Sequence, residues 1–237
     1  RYWRRLFGLV AITAGLKDRL VAAGLDGKKI LVAPDAVDLK EFESLTQTKT
    51  ELRSELSLPL DKNLIIYSGH LYKWKGAQIL AEAARYLSEK ERLVFIGGTD
   101  RDIIRFQEKN QASAQIMILG RKPRKLIPAY LRAADVLVLP NSAKPAISRL
   151  YTSPIKLFEY MAANKPIVAS DIPSIREILN ENNAIFFKAD DPVDLADKIK
   201  MALKNNNLAQ AKAEQAHRDV LNYTWHKRVQ KIIDGLL

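Results

Sequence analysis

From Leu64 onward, short apolar segments rich in Ile and Val alternate with longer amphipathic segments. The apolar segments predict six β-strands, at residues 64–68, 92–96, 115–119, 135–139, 166–170 and 184–187. The amphipathic segments predict six helices, at residues 77–87, 102–109, 125–133, 155–163, 174–179 and 193–204. Short strands that are apolar on both faces are typical of a buried parallel sheet with helices on each side. The pattern therefore predicts an α/β domain with a doubly wound parallel sheet.

The two ends of the chain follow a different pattern. Residues 9–13 and 30–33 predict two further strands, and residues 16–24 predict a helix between them. The polar stretch 34–60 has the composition of a linker between two domains. Residues 207–237 predict helices with one apolar face, which must pack on another part of the protein.

Composition limits the chemistry that the protein can perform. The chain has 237 residues, of which 47% are hydrophobic and 27% are charged, the balance of an ordinary globular protein. It has no cysteine and three histidines, which excludes disulfides, iron–sulfur clusters and thiol nucleophiles and disfavours a histidine metal centre. The net charge of +11 favours an anionic partner, such as phosphate, nucleic acid or an acidic membrane surface. Because the chain begins with Arg1 and shows no targeting segment, we expect a piece of a longer protein.

Loops after the strands are the candidate sites, because ligands bind beyond the carboxyl ends of the strands in open parallel sheets. In the loop 68–76 (SGHLYKWKG), Gly69 permits a tight turn, and His70 and Lys75 supply positive charge. This loop predicts phosphate binding, with a solvated basic turn as the alternative. The loop 120–125 (GRKPRK) carries four cations in six residues but no aromatic residue on which bases could stack. A solvated loop or backbone contacts to a nucleobase therefore fit it better than a nucleic-acid patch.

The segment after the fourth predicted strand is the second candidate. Ser153 followed by Pro154 predicts the start of a helix, with Ser153 as the N-cap and Pro154 at the first helical position. The amides of Ile155 and Lys156 would then face the cleft, and the helix dipole would favour an anion there. Glu159 follows Lys156 by three residues, so the two side chains share a face. An ion pair within the helix and a carboxylate that accepts hydrogen bonds from sugar hydroxyls are both open interpretations.

Four motifs within residues 64–179 resemble the donor domain of GT-B glycosyltransferases, specifically glycosyltransferase family 4 (glycosyl transferases group 1). They are YSGHLYKWKGAQILAEAA, LVFIGG, LIPAYLRAADVLVLP and TSPIKLFEYMAANKPIVASDIPSIREIL. The segments VAITAGLKDRLVAAG and KILVAPDAVDLKEF resemble the end of the family's N-terminal domain and its interdomain hinge. The final YTWHKRVQKIIDGLL resembles the closing helix of the family, which packs back toward the N-terminal half.

The resemblance implies a division of the chain into four parts. Residues 1–40 would be the end of the N-terminal, acceptor domain with the hinge, and residues 41–60 a linker. Residues 61–206 would form the Rossmann-like C-terminal domain, which binds the nucleotide-sugar donor. Residues 207–237 would be helices that pack back toward the N-terminal half. The chain would then be the donor-binding half of such an enzyme, with a short remnant of the other half.

The resemblance also assigns roles to residues. Lys75 matches the lysine that contacts the donor diphosphate, and His70 stands where the family usually has arginine, which weakens the phosphate clamp. Glu159 matches the second Glu of the E-x7-E motif, associated with the ribose, whereas Tyr151 stands where the first Glu is expected. The implied catalytic residues are Lys75, His70 and Glu159. The residues implied to hold the diphosphate and sugar are Gly69, Tyr151, Ser153, Pro154, Ile155 and Lys156, with Arg121 and Lys122 on the nucleobase side.

The implied activity is transfer of a hexose-type sugar from a nucleotide-diphosphate sugar, linked to UDP or GDP, to a saccharide or glycolipid acceptor. It implies retention of configuration, no metal and no other cofactor. Lys75, His70 and helix amides would stabilise the leaving diphosphate, and the leaving phosphate would take the proton of the acceptor. The implied partners include the protein's own N-terminal domain and no nucleic acid. The implied setting is polysaccharide or glycolipid assembly in the cytoplasm or at the inner face of the membrane, with peripheral membrane contact.

Three other interpretations remain open. The tyrosine at 151 and the histidine at 70 also permit a non-catalytic nucleotide-binding or interaction module. The net charge and the Tyr2-Trp3-Arg4-Arg5 segment permit a protein that binds nucleic acid or a membrane surface. Asp100-Arg101-Asp102 fits the short D-x-D metal motif of the other large glycosyltransferase fold, although an Asp at a helix start is a common cap.

Overall fold

The structure of the protein is a computed structural model, which describes residues 8–110 and 113–236. Its larger unit contains a six-stranded sheet with all neighbouring strands parallel. The strand order is β5-β4-β3-β6-β7-β8. These strands are β3 (Asn63–Ser68), β4 (Glu91–Ile96), β5 (Ile116–Gly120), β6 (Val136–Leu139), β7 (Ile167–Ser170) and β8 (Ile185–Phe187).

Helices cover both faces of this sheet. They are α2 (Lys40–Glu43), α3 (Lys49–Glu55), α4 (Ala77–Ala83), α5 (Asp100–Asn110), α6 (Ile127–Arg132), α7 (Ala146–Arg149), α8 (Ile155–Ala162), α9 (Pro173–Arg176), α10 (Pro192–Lys204) and α11 (Asn206–Val220). Successive side chains of a strand point to opposite faces, so Leu64 and Ile66 of β3 enter one apolar core. Ile65 and Tyr67 enter the other. Burial on both faces explains why the sequence of the strands is continuously apolar.

The predicted sheet is confirmed. Each of its six strands is present, and each begins and ends within one residue of the predicted position. The fold is the α/β domain with a doubly wound parallel sheet that the sequence predicts. Three predicted helices are clearly shorter than expected. Helix α4 ends at Ala83 and continues as the tight turn Ala84–Tyr86, α6 begins at Ile127 after the tight turn Arg124–Leu126, and α9 ends at Arg176.

The order of the strands places a switch point between β3 and β6. From β3 the chain proceeds outward through β4 and β5, and it then returns to add β6, β7 and β8 on the other side of β3. The crossovers that leave β3 and β6 therefore diverge and leave a crevice at the carboxyl ends of these two strands. The loops that follow Ser68 and Leu139 border this crevice.

The segment 41–60, expected to be a linker, is folded against the larger unit. Phe42 of α2 and Leu52 of α3 are buried in the core. Arg53 is also buried, and its guanidinium donates hydrogen bonds to Ala133 O at 2.9 Å and to Asp135 Oδ2 at 2.6 Å. The polar composition of the segment predicts a linker, but a few buried apolar side chains and one buried arginine attach it to the larger unit.

A smaller unit precedes the main sheet. It contains β1 (Leu9–Ala11), α1 (Ala14–Ala22) and β2 (Ile30–Val32), and its two strands pair in parallel. The last helix, α12 (Trp225–Leu236), packs on β2, whereas the expectation covers all of residues 207–237 and places them toward the N-terminal half. Helix α11 differs from that expectation, because it packs on α8 and α10 of the larger unit.

The two units are joined by hydrogen bonds between side chains and backbone. Thr13 Oγ1 donates to Leu150 O at 2.8 Å. The carboxylate of Glu177 accepts from Ala14 N at 2.9 and 3.0 Å, at the start of α1. Arg228 Nε of α12 donates to Pro34 O at 2.8 Å. The smaller unit is thus held beside the loops that border the crevice.

Candidate functional site

A cleft of about 650 Å³ occupies the crevice at the switch point. The loops after β3, β5 and β6 and the start of α8 contribute to its walls. Its lining includes every site residue that the sequence singled out, namely Gly69, His70, Lys75, Arg121, Lys122, Tyr151, Ser153, Pro154, Ile155, Lys156 and Glu159. The structure therefore brings the predicted residues together. Their individual roles remain predictions.

The loop after β3 presents Lys75 to the cleft. Residues Lys73–Lys75 form one tight helical turn, and the Lys75 ammonium lies 4.6 Å from the centre of the Trp74 ring. Gly76 then turns the chain with φ of 74°, and a Cβ at this position would lie 1.6 Å from Pro140 O. Glycine is required here because the loop after β3 passes directly against the loop after β6. Burial lowers the pKa of Lys75, so an anion beside it would restore the charged form.

The start of α8 differs from the prediction. Pro154, not Ser153, is the N-cap residue, with φ of −76° and ψ of 124°, and Ser153 makes no capping hydrogen bond. The Ser153 hydroxyl instead accepts a hydrogen bond from Asp35 N at 2.9 Å. Leu157 N donates to Pro154 O at 2.8 Å. The two amides that precede Leu157 lie in the first helical turn, where a helix has no internal acceptor for them and favours an anion.

Lys156 packs against β3 and makes no ion pair with Glu159. Its side chain is 7% exposed, and its ammonium lies 3.7 Å from the centre of the Tyr67 ring. Burial lowers the pKa of Lys156 well below its usual value, the nearby charge of Lys75 lowers it further, and Glu159 acts in the opposite direction. Of the two open interpretations, the ion pair between Lys156 and Glu159 is not formed, because the ammonium lies against the Tyr67 ring of β3.

Glu159 pairs instead with Arg124, a residue that the sequence analysis did not select. Arg124 Nη2 lies 3.5 Å from Glu159 Oε1 and 3.6 Å from Glu41 Oε2. Glu159 is 9% exposed, and burial raises its pKa, whereas Arg124 lowers it. Arg124 belongs to the basic loop GRKPRK, from which only Arg121 and Lys122 were predicted to line the site. The contact of Arg124 with Glu159 could not be predicted because the two residues are far apart in sequence.

Asp35 is a second residue of the cleft that sequence reasoning missed. It lies in the connection between the smaller and larger units, far in sequence from the loops that form most of the cleft, and it lines the same cleft. Burial raises the pKa of its carboxyl, and Arg228 lowers it. The polar run APDAVD surrounding it was interpreted as part of a linker, so its position at the site was not foreseen. His70, by contrast, was foreseen, and its ring stacks on Tyr72 with 4.8 Å between the ring centres.

Several observations concern the residues on which the alternative metal and membrane interpretations depend. Asp102 Oδ2 accepts a hydrogen bond from Thr99 Oγ1 at 2.7 Å, so this Asp caps the start of α5. Among residues 8–110 and 113–236, no group of three or more acidic or histidine side chains is placed to hold a metal ion. Every helix in the described part of the chain is too short or too polar to cross a lipid bilayer. The Tyr2-Trp3-Arg4-Arg5 segment lies outside the described residues.

The chain has an open parallel sheet with a cationic cleft at its switch point, an arrangement that is typical of nucleotide-binding α/β domains. The family model described as "Glycosyl transferases group 1" matches residues 48–219, and the chain belongs to this family.

Individual relatives agree with this assignment. The chain is 27% identical over 227 residues to the D-inositol 3-phosphate glycosyltransferase of Xylanimonas cellulosilytica, a match that covers 91% of this chain and 52% of the relative. A solved glycosyltransferase from Rickettsia africae has a TM-score of 0.82 at 20% identity, covering 97% of this chain and 62% of that one. Anabaena Alr3699/HepE in complex with UDP-glucose has a TM-score of 0.83 at 16% identity, covering 97% and 63%. The chain thus spans about half the length of the curated relatives it matches.

Proposed function

We propose that the chain is the donor-binding half of a retaining, family 4 glycosyltransferase that uses a nucleotide-diphosphate sugar. The enzyme would transfer a hexose to a saccharide or glycolipid acceptor without a metal ion. The observation that carries the proposal is the convergence of Lys75, the first turn of α8 and Glu159 in one cleft at the switch point of the sheet. Residues 61–206 form the donor domain in this proposal.

The cleft has the charge pattern that a nucleoside diphosphate requires. The ammonium of Lys75 and the first-turn amides of α8 favour the diphosphate. Glu159, as a carboxylate, accepts hydrogen bonds from the ribose hydroxyls. Arg124 supports this role, because it lowers the pKa that burial of Glu159 raises. The bound UDP-glucose of Anabaena Alr3699/HepE supports UDP as the nucleotide, with GDP as the other candidate.

The same groups assist the reaction. When the bond between sugar and phosphate breaks, positive charge develops on the sugar and negative charge on the leaving diphosphate. Lys75 and the α8 amides stabilise the leaving group, a type of contribution worth several kcal/mol in a closed cleft (about 3–4 kcal/mol for one donor). An oxygen of the leaving phosphate then takes the proton of the acceptor hydroxyl, which attacks from the same face of the sugar. His70 borders the same space.

The acceptor would be bound largely by the other half of the enzyme. The chain spans about half of its curated relatives, and the smaller unit with α12 is held against the rim of the cleft. We place the reaction in the cytoplasm or at the inner face of the membrane, where nucleotide sugars are made and glycolipid acceptors are assembled.

A nucleotide panel tests the proposal. UDP and GDP should raise the Tm of the chain, and a ligand at a hundred times its Kd adds about 2.7 kcal/mol to the free energy of unfolding. Lys75→Ala should remove most of the shift, whereas Lys73→Ala, at an exposed residue outside the cleft lining, should keep it. If neither nucleotide shifts the Tm at millimolar concentration, the proposal is wrong.

A non-catalytic nucleotide-binding module is the second candidate. Tyr151 lines the cleft where the family resemblance expects a glutamate, and His70 stands where it expects an arginine. Such a module would bind UDP or GDP but would not break the sugar–phosphate bond. Release of UDP from UDP-glucose, or of GDP from GDP-mannose, by the longer protein that contains this chain distinguishes the two.

A further inference from the structure

A cavity of about 260 Å³ lies at the amino ends of β3, β6 and β7. Asn63, the first residue of β3, lines this cavity, whereas Ser68, the last residue of the same strand, lines the cleft. Five residue steps along a strand span about 17 Å, at about 3.3 Å a step. The cavity, which we call the amino-edge cavity, is therefore at the opposite edge of the sheet from the proposed donor site.

Lys165, just before β7, is a half-buried cation in the wall of the amino-edge cavity. Within residues 8–110 and 113–236, its ammonium donates no hydrogen bond and lies within 4 Å of no carboxylate oxygen. The carboxylate of the same wall, Asp135, is already engaged. Its Oδ1 accepts a hydrogen bond from Lys49 Nζ at 2.7 Å. Its Oδ2 accepts from Arg53 Nη2 at 2.6 Å and from Leu64 N at 2.7 Å.

The surroundings of Lys165 carry an excess of positive charge. Burial is the main cause that lowers its pKa, to about 8, and three neighbouring cations lower it as well, whereas Asp135 raises it. The three cations are Lys49, Arg132 and Arg53. Each of them donates a hydrogen bond to an oxygen of the protein, so Lys165 is the one cation of the group without an acceptor among the described residues. An added anion would compensate for this excess of charge.

The other polar groups of the amino-edge cavity fit an oxyanion. Asn63, Asn206 and Gln210 carry side-chain amides, which donate hydrogen bonds to oxygen atoms. Asn206 and Gln210 are four residues apart on α11 and therefore share a face of the helix. The volume is below the range of about 300–1,000 Å³ that is typical of sites for larger organic ligands, so a phosphate group fits and a nucleotide does not. Because Lys49 and Lys165 both line the cavity, a dianion fits better than a singly charged carboxylate.

We propose that the amino-edge cavity binds a phosphate group, with the ammonium of Lys165 as its principal cation and Lys49 beside it. The phosphate group belongs either to inorganic phosphate or to a small phosphate monoester. A bound phosphate would join the start of β3 and the segment before β7 to α11. This inference goes beyond the proposed function and does not rest on it, because the cavity and the cleft share no lining residue.

Binding should depend on pH through Lys165. A bound dianion raises the pKa of this lysine, so the chain takes up a proton when it binds the anion near pH 8. A phosphate monoester, whose second pKa is about 6, remains a dianion above neutral pH. Its affinity for the cavity should therefore fall about tenfold between pH 7 and pH 9, as Lys165 loses its proton. The other charged groups that act on Lys165 are Lys49, Arg53, Arg132 and Asp135.

Amide NMR spectra of the nitrogen-15-labelled 237-residue chain test the inference. One titration uses inorganic phosphate and the other glycerol 3-phosphate, both at constant ionic strength. The amides of residues 134–135, 165 and 206–210 should shift and saturate at millimolar concentration, and the probe with the lower Kd identifies the source of the phosphate group. Shifts are assigned residue by residue, so binding at this cavity is separated from binding at the cleft. If neither probe shifts these amides, the inference is wrong.

Variants of two lysines sharpen the test. Lys165→Met should weaken binding at the amino-edge cavity about tenfold or more and leave shifts at the cleft unchanged. Lys204→Met, at an exposed lysine outside the cavity lining, removes the same charge and should stay within about twofold of wild type. Equal affinity of K165M and wild type overturns the inference.

The pH dependence of wild-type binding needs no variant and decides the question if K165M does not fold. Affinity for glycerol 3-phosphate that is unchanged between pH 7 and pH 9 contradicts the role of Lys165. The proposed function is judged separately, from the amides of the cleft in the presence of UDP or GDP. Nucleotide shifts at the cleft without phosphate shifts at the amino-edge cavity would refute only this inference.

Discussion

Arg124 Nη2 lies 3.5 Å from Glu159 Oε1, and this contact joins the loop after β5 to helix α8 across the cleft. Burial and the guanidinium of Arg124 have opposite effects on the pKa of Glu159. Burial raises this pKa and Arg124 lowers it, so the arginine keeps the carboxylate ionised down to a lower pH. The binding of ribose hydroxyls that we propose for Glu159 requires the carboxylate and therefore depends on this balance.

Arg124→Met should therefore make nucleoside binding more sensitive to acid. Without the guanidinium, the pKa of Glu159 rises further, and the ionised form is lost at a higher pH on acidification. Affinity for uridine or guanosine, whichever nucleoside binds, should fall at a higher pH than in wild type when titrated from pH 8 to pH 5. Lys125→Met, at the exposed neighbouring lysine, should keep the wild-type profile. Superimposable profiles for R124M and wild type would refute the role given to this pair.

Gly76→Ala should destabilise the fold severely. The new Cβ would lie 1.6 Å from Pro140 O, and the backbone at φ of 74° is already unfavourable for alanine. We expect a loss of at least about 3 kcal/mol in the free energy of unfolding. Gly24→Ala is the control, because Gly24 also has positive φ but no atom lies within 4 Å of its added Cβ. That variant should lose only about 1–2 kcal/mol. Equal losses in urea unfolding would mean that the close approach of the two loops has no energetic role.

Asp135 should contribute to stability in a pH-dependent way. Its burial would raise the pKa, but hydrogen bonds from Lys49, Leu64 N and Arg53 outweigh burial and hold the pKa below its usual value. A lowered pKa in the folded state stabilises the protein above the unfolded value of about 3.9, and this contribution is lost as the pH falls through the folded value.

Asp135→Asn should accordingly cost about 3 kcal/mol or more near neutral pH, since it leaves the buried Arg53 unpaired. The difference from wild type should shrink below about pH 4. Asp61→Asn, at an exposed surface pair with Lys62, should cost less than about 0.5 kcal/mol. Chemical unfolding at several pH values measures all three chains, and a pH-independent difference for D135N would argue against this account.

Glu177→Gln should loosen the smaller unit. The two carboxylate oxygens of Glu177 share the N–H of Ala14 at the start of α1, where negative charge is also favoured by the helix dipole. We expect a local loss of about 1 kcal/mol, seen as faster hydrogen exchange of α1 amides with little change in the amides of the main sheet. Glu108→Gln, on the exposed side of α5, is the control. Exchange that rises equally in both units would assign Glu177 a global role instead.

The strands were predictable because each is buried on both faces, so its apolar run is continuous and local in sequence. The convergence of the site was predictable for a similar reason, since parallel strands bring the loops at their carboxyl ends to one edge. Ser153 failed as an N-cap because its hydroxyl is engaged by Asp35 N, from a distant part of the chain. The contact of Glu159 with Arg124 could not be predicted for the same reason, because the two residues are distant in sequence. Local spacing predicts which groups share a surface, whereas their partners depend on contacts that only the folded chain creates.

Pro34 and Asp35 are held at consecutive positions from two directions: Arg228 of α12 binds the carbonyl of Pro34, and Ser153 ahead of α8 binds the amide of Asp35. The connection between the small and large units is therefore fixed at two neighbouring residues, one bonded to α12 and the other to the segment that leads into α8. A rotation of the small unit that moves Asp35 would break its bond to Ser153, in the wall of the cleft where we propose that the diphosphate binds. In the proposed enzyme, movement of the small unit and release of the donor would then be coupled.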